Sequence, residues 1–264
     1  MEIIGYLGAV LMGMSLGLIG GGGSILTVPI LVYLFGVNAE LSTAYSLFIV
    51  GLTSLFGSLS HMRMGNIHWK TAIVFGIPSI ISVYITRHFI VPAIPSVLIS
   101  TSSFVLDKDM GILILFAVIM VLASYSMIKK GKPKAQNEGE EIAYNYPLIL
   151  VEGAVVGLVT GLVGAGGGFL IIPALVILAK LPMKQAVGTS LIIIASKSLL
   201  GFLGDLGRGQ VIDWQFLLVF SAIAVVGIFL GASLSKKISG DKLKPAFGWF
   251  VLIMGIYIIF KTLM

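Results

Sequence analysis

Two glycine runs and one lysine are the residues in this sequence whose types and placement could do chemistry. The first run is Gly17-Leu18-Ile19-Gly20-Gly21-Gly22-Gly23-Ser24, with Thr27-Val28-Pro29 following it. The second, Gly161-Leu162-Val163-Gly164-Ala165-Gly166-Gly167-Gly168, leads into Ile171-Ile172-Pro173, and Pro173 stands 144 residues after Pro29. Each glycine costs a helix about 0.8–1 kcal/mol relative to alanine, so each run predicts a break. A short apolar helix follows each break. The backbone N–H groups near Gly21, Gly22, Gly23 and Ser24, and near Gly166, Gly167 and Gly168, are then free and aimed one way. Together with the positive end of a helix dipole, such amides bind an anion. Close helix packing asks instead for small residues at four-residue spacing, and that role is assigned to Ala9, Gly13 and Gly17 and to Gly153, Gly157 and Gly161.

Lys197 stands in an apolar segment eight residues before Asp205. That separation is roughly 12 Å at helical rise, beyond the reach of a snorkelling stem. An ionisable residue at such depth faces the bundle interior and marks a pathway. Ser190, Lys197, Gly201 and Gly204 fall near one helix face. The residue 144 positions before Lys197 is Thr53, so one charged and one neutral wall are expected. Ser24, Thr27, Ser46, Thr53, Thr189 and Ser190 would supply hydroxyls around the ligand. A plainer alternative pairs Lys197 with Glu152, and Glu152 is also a candidate proton carrier. Ordinary roles at helix ends are expected for His61, Arg63, Asp205 and Arg208. The three histidines, His61, His68 and His88, lack metal-ligand spacing, and no metal or cofactor is expected. Ser46 and Ser190 have no partnering base in sequence reach, which argues against a membrane-embedded hydrolase.

The elements that must hold these residues are apolar throughout. Of 264 residues 58% are hydrophobic and 11% charged, against about 25% charged in soluble domains. The expected fold class is an all-α polytopic membrane protein. Met1-Glu2 offers no basic n-region, so the apolar N-terminus is expected to remain in the mature chain. The chain has no cysteine, which excludes disulfides and thiolate chemistry. The net charge of +6 sits in short loops between apolar runs, a pattern that sets topology and gives no reason to expect nucleic acid.

Residues 3–35 read as one broken segment, too long for a single crossing of a core about 30 Å thick. Helices are expected over 41–59, over 69–90 with a kink at Pro78, and over 111–128, with an interfacial segment over 92–109. A polar linker, 129–145, separates this first transmembrane repeat (1–128) from a second (146–264). The second contains a broken segment over 147–179 and helices over 185–203, 214–234 and 243–260. Ser46-Leu47 and Ser190-Leu191, Ser54-Leu55 and Ser198-Leu199, Gly57 and Gly201, and Gly65 and Gly209 hold the same 144-residue register. If each broken segment crosses the membrane, Lys and Arg divide eight against eight. If each enters and returns on its own side, they divide twelve against four, with Lys197 inside a helix. The positive-inside rule therefore favours two inverted repeats, each of one re-entrant segment plus three transmembrane helices. Paired discontinuous segments in inverted halves hold substrate near the midplane in several transporter folds.

With these residues laid out, the chain resembles the TauE/SafE sulfite-exporter family. The resemblance rests on GLIGGGGSILTVP (Gly17 to Pro29), SLSHMRMGNIHW (Ser58 to Trp69), GLVGAGGGFLIIPAL (Gly161 to Leu175) and AVGTSLIIIASKSLLGFLGDL (Ala186 to Leu206). It implies a multi-pass secondary transporter of the inner membrane, not an enzyme, that exports sulfite, an organosulfonate or a related anion. The lipid bilayer and a small anion are the implied partners, and a homo-oligomer is compatible with the sequence. A passive anion channel or a membrane-bound sensor or assembly partner is the alternative. Two departures stand out. Ala44-Tyr45-Ser46 occupies the place of Gly188-Thr189-Ser190, and Lys197 stands where asparagine is expected in many members.

Overall fold

The computed structural model describes residues 2–21, 23–101, 104–128, 146–177, 179–206, 211–234 and 240–263. The 129–145 linker and Gly22 lie outside the described residues, as does Arg208. The chain folds into helices α1 (Glu2–Ile19), α2 (Ser24–Phe35), α3 (Ala39–Arg63), α4 (Trp69–Ala93) and α5 (Lys108–Ile128), then α6 (Tyr146–Val163), α7 (Gly168–Ile177), α8 (Met183–Leu203), α9 (Trp214–Leu234) and α10 (Gly240–Leu263). Strands β1 (Val97–Thr101) and β2 (Phe104–Asp107) pair antiparallel between α4 and α5. Two short helices separated by glycines, followed by three longer helices, thus occur twice. The 92–109 stretch, expected as an interfacial segment, contains this hairpin, with Val97, Ile99 and Val105 exposed.

Local chemistry sets the helix ends. Asn38 caps α3 by accepting from the Leu41 amide at 2.8 Å, and Gly36 ends α2 in the left-handed conformation at φ 68°. His68 caps α4 through Nδ1 and the Thr71 amide. Pro78 is accommodated within α4; the irregularity there is a π-helical stretch, Thr86–Ile90, beyond it. Among the described residues five helices, α3, α4, α5, α8 and α9, are long and apolar enough to cross a bilayer. Large apolar side chains such as Ile3, Ile81, Leu122, Val226 and Ile253 are exposed along α1, α4, α5, α9 and α10. In water such a surface would be an aggregation liability, and in lipid it needs no explanation.

The helix contacts exchange the two halves. Helix α1 packs on α9 and α6 on α4, α3 lies against α8, and α5 against α10. Every pair maps onto another, or onto itself, when the copies are swapped. Gly51 meets Leu199, Gly57 meets Leu191 and Gly201 meets Leu47, so α3 and α8 run antiparallel and cross near Thr53 and Lys197. Gly5 faces Phe35 and Gly8 faces Ile30, so α2 folds back antiparallel along α1. Gly13 and Gly17 abut the Ala224 and Ile228 carbonyls, while Gly227 and Gly231 abut Val10 and Met14. On the other side Gly153, Gly157 and Gly161 meet Phe75, Ser79 and Thr86. These spaced glycines bring helix backbones together, as their spacing predicts.

A side chain at Gly157 would overlap the Ser79 carbonyl, whereas the nearest atom to a Cβ at Gly76 is 4.0 Å away, on Ile193. Gly157→Leu is therefore expected to destabilise the protein by at least about 1–3 kcal/mol, the usual cost of overpacking. Gly76→Ala should leave the thermal unfolding midpoint in detergent unchanged or raised. Equal midpoints for the two variants would show that the α4–α6 contact is not close-packed.

Candidate functional site

The two glycine runs form the turns of two helical hairpins, α1–α2 and α6–α7, and the turns touch. A Cβ on Gly21 would fall 2.5–2.7 Å from backbone atoms of Gly168, so neither residue can carry a side chain without moving the other backbone. Gly166 and Gly167 adopt φ of 63° and 67°, left-handed values that glycine reaches without a steric penalty. The α7 ladder begins with the Leu170 and Ile171 amides donating to the Gly167 carbonyl at 3.0 Å. The amides before them belong to the first turn and have no intrahelical acceptor.

Lys197 reaches this turn from α8. Its side chain is fully buried, and Nζ donates to Thr160 Oγ1 on α6 at 2.9 Å. A Cβ on Gly167 would lie 2.7 Å from that ammonium. Among the described residues Lys197 has no carboxylate partner. The expected alternative of a Lys197–Glu152 pair is not formed. Glu152 is half-buried two helical turns before Thr160, about 12 Å lower on α6 at 1.5 Å per residue.

The remaining expected residues divide into two groups. Ser24, Thr27, Ser46, Thr53 and Ser190 are fully buried. Ser24 Oγ donates to the Gly21 carbonyl at 2.8 Å, and Ser190 Oγ lies within hydrogen-bond distance of the Gly20 and Val187 carbonyls, at 3.1 and 2.8 Å. Thr27 Oγ1 and Ser46 Oγ are buried without a hydrogen-bond partner among the described residues. Thr53 turns back on its own helix, donating to the Ile49 carbonyl at 2.6 Å, and Gly23 packs on Met12 and Leu16. Thr189 belongs elsewhere. It accepts from the His68 amide at 2.9 Å and fastens the loop after α3 to the start of α8, about 12 Å along the helix from Lys197.

The asymmetry between the halves is thus a matched pair of changes. Lys197 bonds Thr160 beside Gly167, while the residues at the same register in the first half, Thr53, Leu16 and Gly23, make no such polar contact. Thr160 is a site residue that motif reading does not pick out, although its substitution for Leu16 between the copies is visible once they are aligned.

Two charges assigned to helix ends are in fact interior. Arg87, counted among the loop cations, is fully buried in the π-helical stretch of α4, and Asp205 is 4% exposed just past α8. Their side chains pair at 2.7 Å. The 144-residue register that exposes the Thr160 change marks both: Gly231 stands in place of Arg87 and His61 in place of Asp205.

The family model described as Sulfite exporter TauE/SafE matches residues 6–258. The chain belongs to the TauE/SafE family. Curated relatives of this TauE/SafE chain agree over nearly the whole length. A probable membrane transporter protein of Xylella fastidiosa is 27% identical over 96% of this chain and 92% of its own. One of Methanocaldococcus jannaschii is 29% identical over 97% and 92%. The probable membrane transporter protein YunE of Bacillus subtilis is 27% identical over 92% of each. No solved structure matches. This TauE/SafE member is a multi-pass membrane transporter.

Thr160→Val removes the one hydrogen bond that the buried Lys197 Nζ makes among the described residues. It is expected to lower stability by about 1–3 kcal/mol, the cost of leaving such a group unsatisfied. Adding Lys197→Met to Thr160→Val should restore most of that loss, as read by thermal unfolding in detergent. Wild-type stability of the single variant would show that the bond is not formed.

Proposed function

We propose that this transporter is a secondary exporter of a small sulfur-containing anion, such as sulfite or an organosulfonate, bound between the two glycine turns and Lys197. The single observation that carries the reading is the buried Lys197 Nζ against Gly167, whose hydrogen-bond partner among the described residues is the neutral Thr160 hydroxyl. Burying a charge without a counter-ion costs several kcal/mol, and an anion entering the site would remove that cost. The α7 amides and the unpartnered hydroxyls of Thr27 and Ser46 add neutral donors. Sulfite and sulfonate oxygens accept several charge-assisted hydrogen bonds at once, which suits such a set. The relatives' names specify transport alone, so substrate and direction rest on this chemistry and on the family's description.

The two repeats, 1–128 and 146–264, are read as inverted in the inner membrane with the 129–145 linker inside. Antiparallel α3 and α8, the folding back of α2 along α1 and the division of the loop Lys and Arg, twelve to three once buried Arg87 is set aside, all support this. Ser24, Thr53, Ser190 and Lys197 are fully buried, so substrate reaches them only when helices of one half move against the other, as alternating access requires. Glu152, half-buried on α6, is the candidate for a coupled proton.

In proteoliposomes, sulfite flux is expected to saturate and to exceed that of sulfate, taurine and a neutral solute, with sulfoacetate as the sulfonate comparison. Lys197→Ala should reduce it by about tenfold or more, the value of a hydrogen bond to a charged group. Unchanged flux in Lys197→Ala would overturn the site assignment, and flux that does not saturate would identify a channel. Topology is tested separately with reporters at Met264 and within 129–145, which should fall on opposite sides of the membrane.

A further inference from the structure

The deepest charged cluster outside that site is the one around Arg87. Its Nε donates to Asp205 Oδ2 at 2.7 Å, and its Nη1 donates to Thr43 Oγ1 at 2.9 Å and to the Gly161 carbonyl at 3.2 Å. These partners come from α3, from α6 and from the turn after α8, so the guanidinium ties the two halves together. Gly161 directly follows Thr160, the residue that holds Lys197. Two buried cations from different helices therefore converge on consecutive residues in the last turn of α6, immediately before the glycine turn.

Three features argue that the cluster is more than a structural clamp. The repeat does not require it, since the corresponding residues are Gly231 and His61. Gly231 closes its side of the molecule by backbone contact with Met14 and no charge. Arg87 also sits in a π-helical stretch, an irregularity frequent at functional sites. Finally, a buried ion pair contributes little to stability compared with an apolar replacement, so stability alone is a weak reason to keep one.

We propose that Arg87 is a second anion-binding residue of the transport path, with Asp205 as the resident counter-ion that the substrate displaces. The inference rests on the reading of the Lys197 site as an anion site. The planar fork of the guanidinium matches two oxygens on one sulfur, which Lys197 as a point charge does not discriminate. The ligand class is accordingly a small oxyanion presenting at least two oxygens. It is held first at Lys197 and then at Arg87, whose partners Thr160 and Gly161 are consecutive on α6, while the Asp205 carboxylate is released.

The test measures sulfite KM in proteoliposomes and thermal midpoints in detergent for Asp205→Asn, Arg87→Lys, the double variant Arg87→Gln/Asp205→Asn, and Lys197→Ala. Removing the competing carboxylate in Asp205→Asn should lower the sulfite KM several-fold. The double variant should melt near the wild-type midpoint, because a neutral amide pair replaces the ion pair, yet raise KM by about tenfold or more. Arg87→Lys keeps the charge but loses the fork, and should raise KM as well. A double variant that transports with wild-type KM, or an Asp205→Asn protein whose KM is unchanged or raised at wild-type midpoint, would overturn the proposal and leave the pair as a clamp. Loss of sulfite transport in Lys197→Ala together with a wild-type KM in the double variant would overturn the role of Arg87 and preserve that of Lys197. Wild-type KM in all four variants would overturn both.

Discussion

The structure is organised around a lysine side chain buried where the two halves meet. The Lys197 ammonium lies where two antiparallel helices cross and where two glycine turns meet, bonded to one hydroxyl. Gly167 leaves the space that Nζ occupies, Thr160 supplies the acceptor, and Gly21 and Gly168 let the hairpins touch through their backbones. A leucine at position 160, as at the equivalent position 16, would leave the ammonium without its acceptor. The lysine and its hydroxyl are therefore interdependent, and the two substitutions that distinguish the second half from the first make chemical sense only together.

Glycine serves two different ends in this fold. Along α1, α6 and α9 it recurs at four-residue spacing and removes bulk, so that helices approach at backbone distance. In the turns it recurs consecutively and supplies backbone conformations, with φ above 60° at Gly166 and Gly167. Between helices in lipid no hydrophobic force is available, so close backbone contact must provide the attraction. Between the hairpins the same small residue lets the two turns meet backbone to backbone at the start of α7. One composition bias thus yields both the adhesion of the halves and the contact between the turns.

Much of this was legible in the sequence because it depends on local pattern. The breaks after Ile19 and Val163 and the depth of Lys197 follow from glycine cost and helical rise. The failures share another cause. Arg87 and Asp205 were read as edge charges because distance from a helix end was taken as distance from water. The hairpins fold back against the helix ends, however, and bury positions that a simple span would leave wet. Thr189 was grouped with Lys197 on type alone, although eight residues of helix separate them and the loop carrying His68 claims its hydroxyl. Tertiary closure, which no single segment encodes, decided each of these cases.

The broken symmetry also bears on how such a molecule could move. Where α1 meets α9, the contact is made by Gly13, Gly17, Gly227 and Gly231 against backbone, short-range and unsalted. Where α6 meets α4, glycines again line the contact, but Arg87 adds hydrogen bonds to Gly161 and Thr43 and an ion pair to Asp205. Dispersion contacts of the first kind are lost in proportion as surfaces separate. A buried ion pair instead stays closed until something replaces one partner, because an unpaired buried charge is so costly. An anion is the species able to replace Asp205. A protein whose two sides were held by identical glycine contacts would have no such dependence on charge, and its halves would separate as readily empty as loaded.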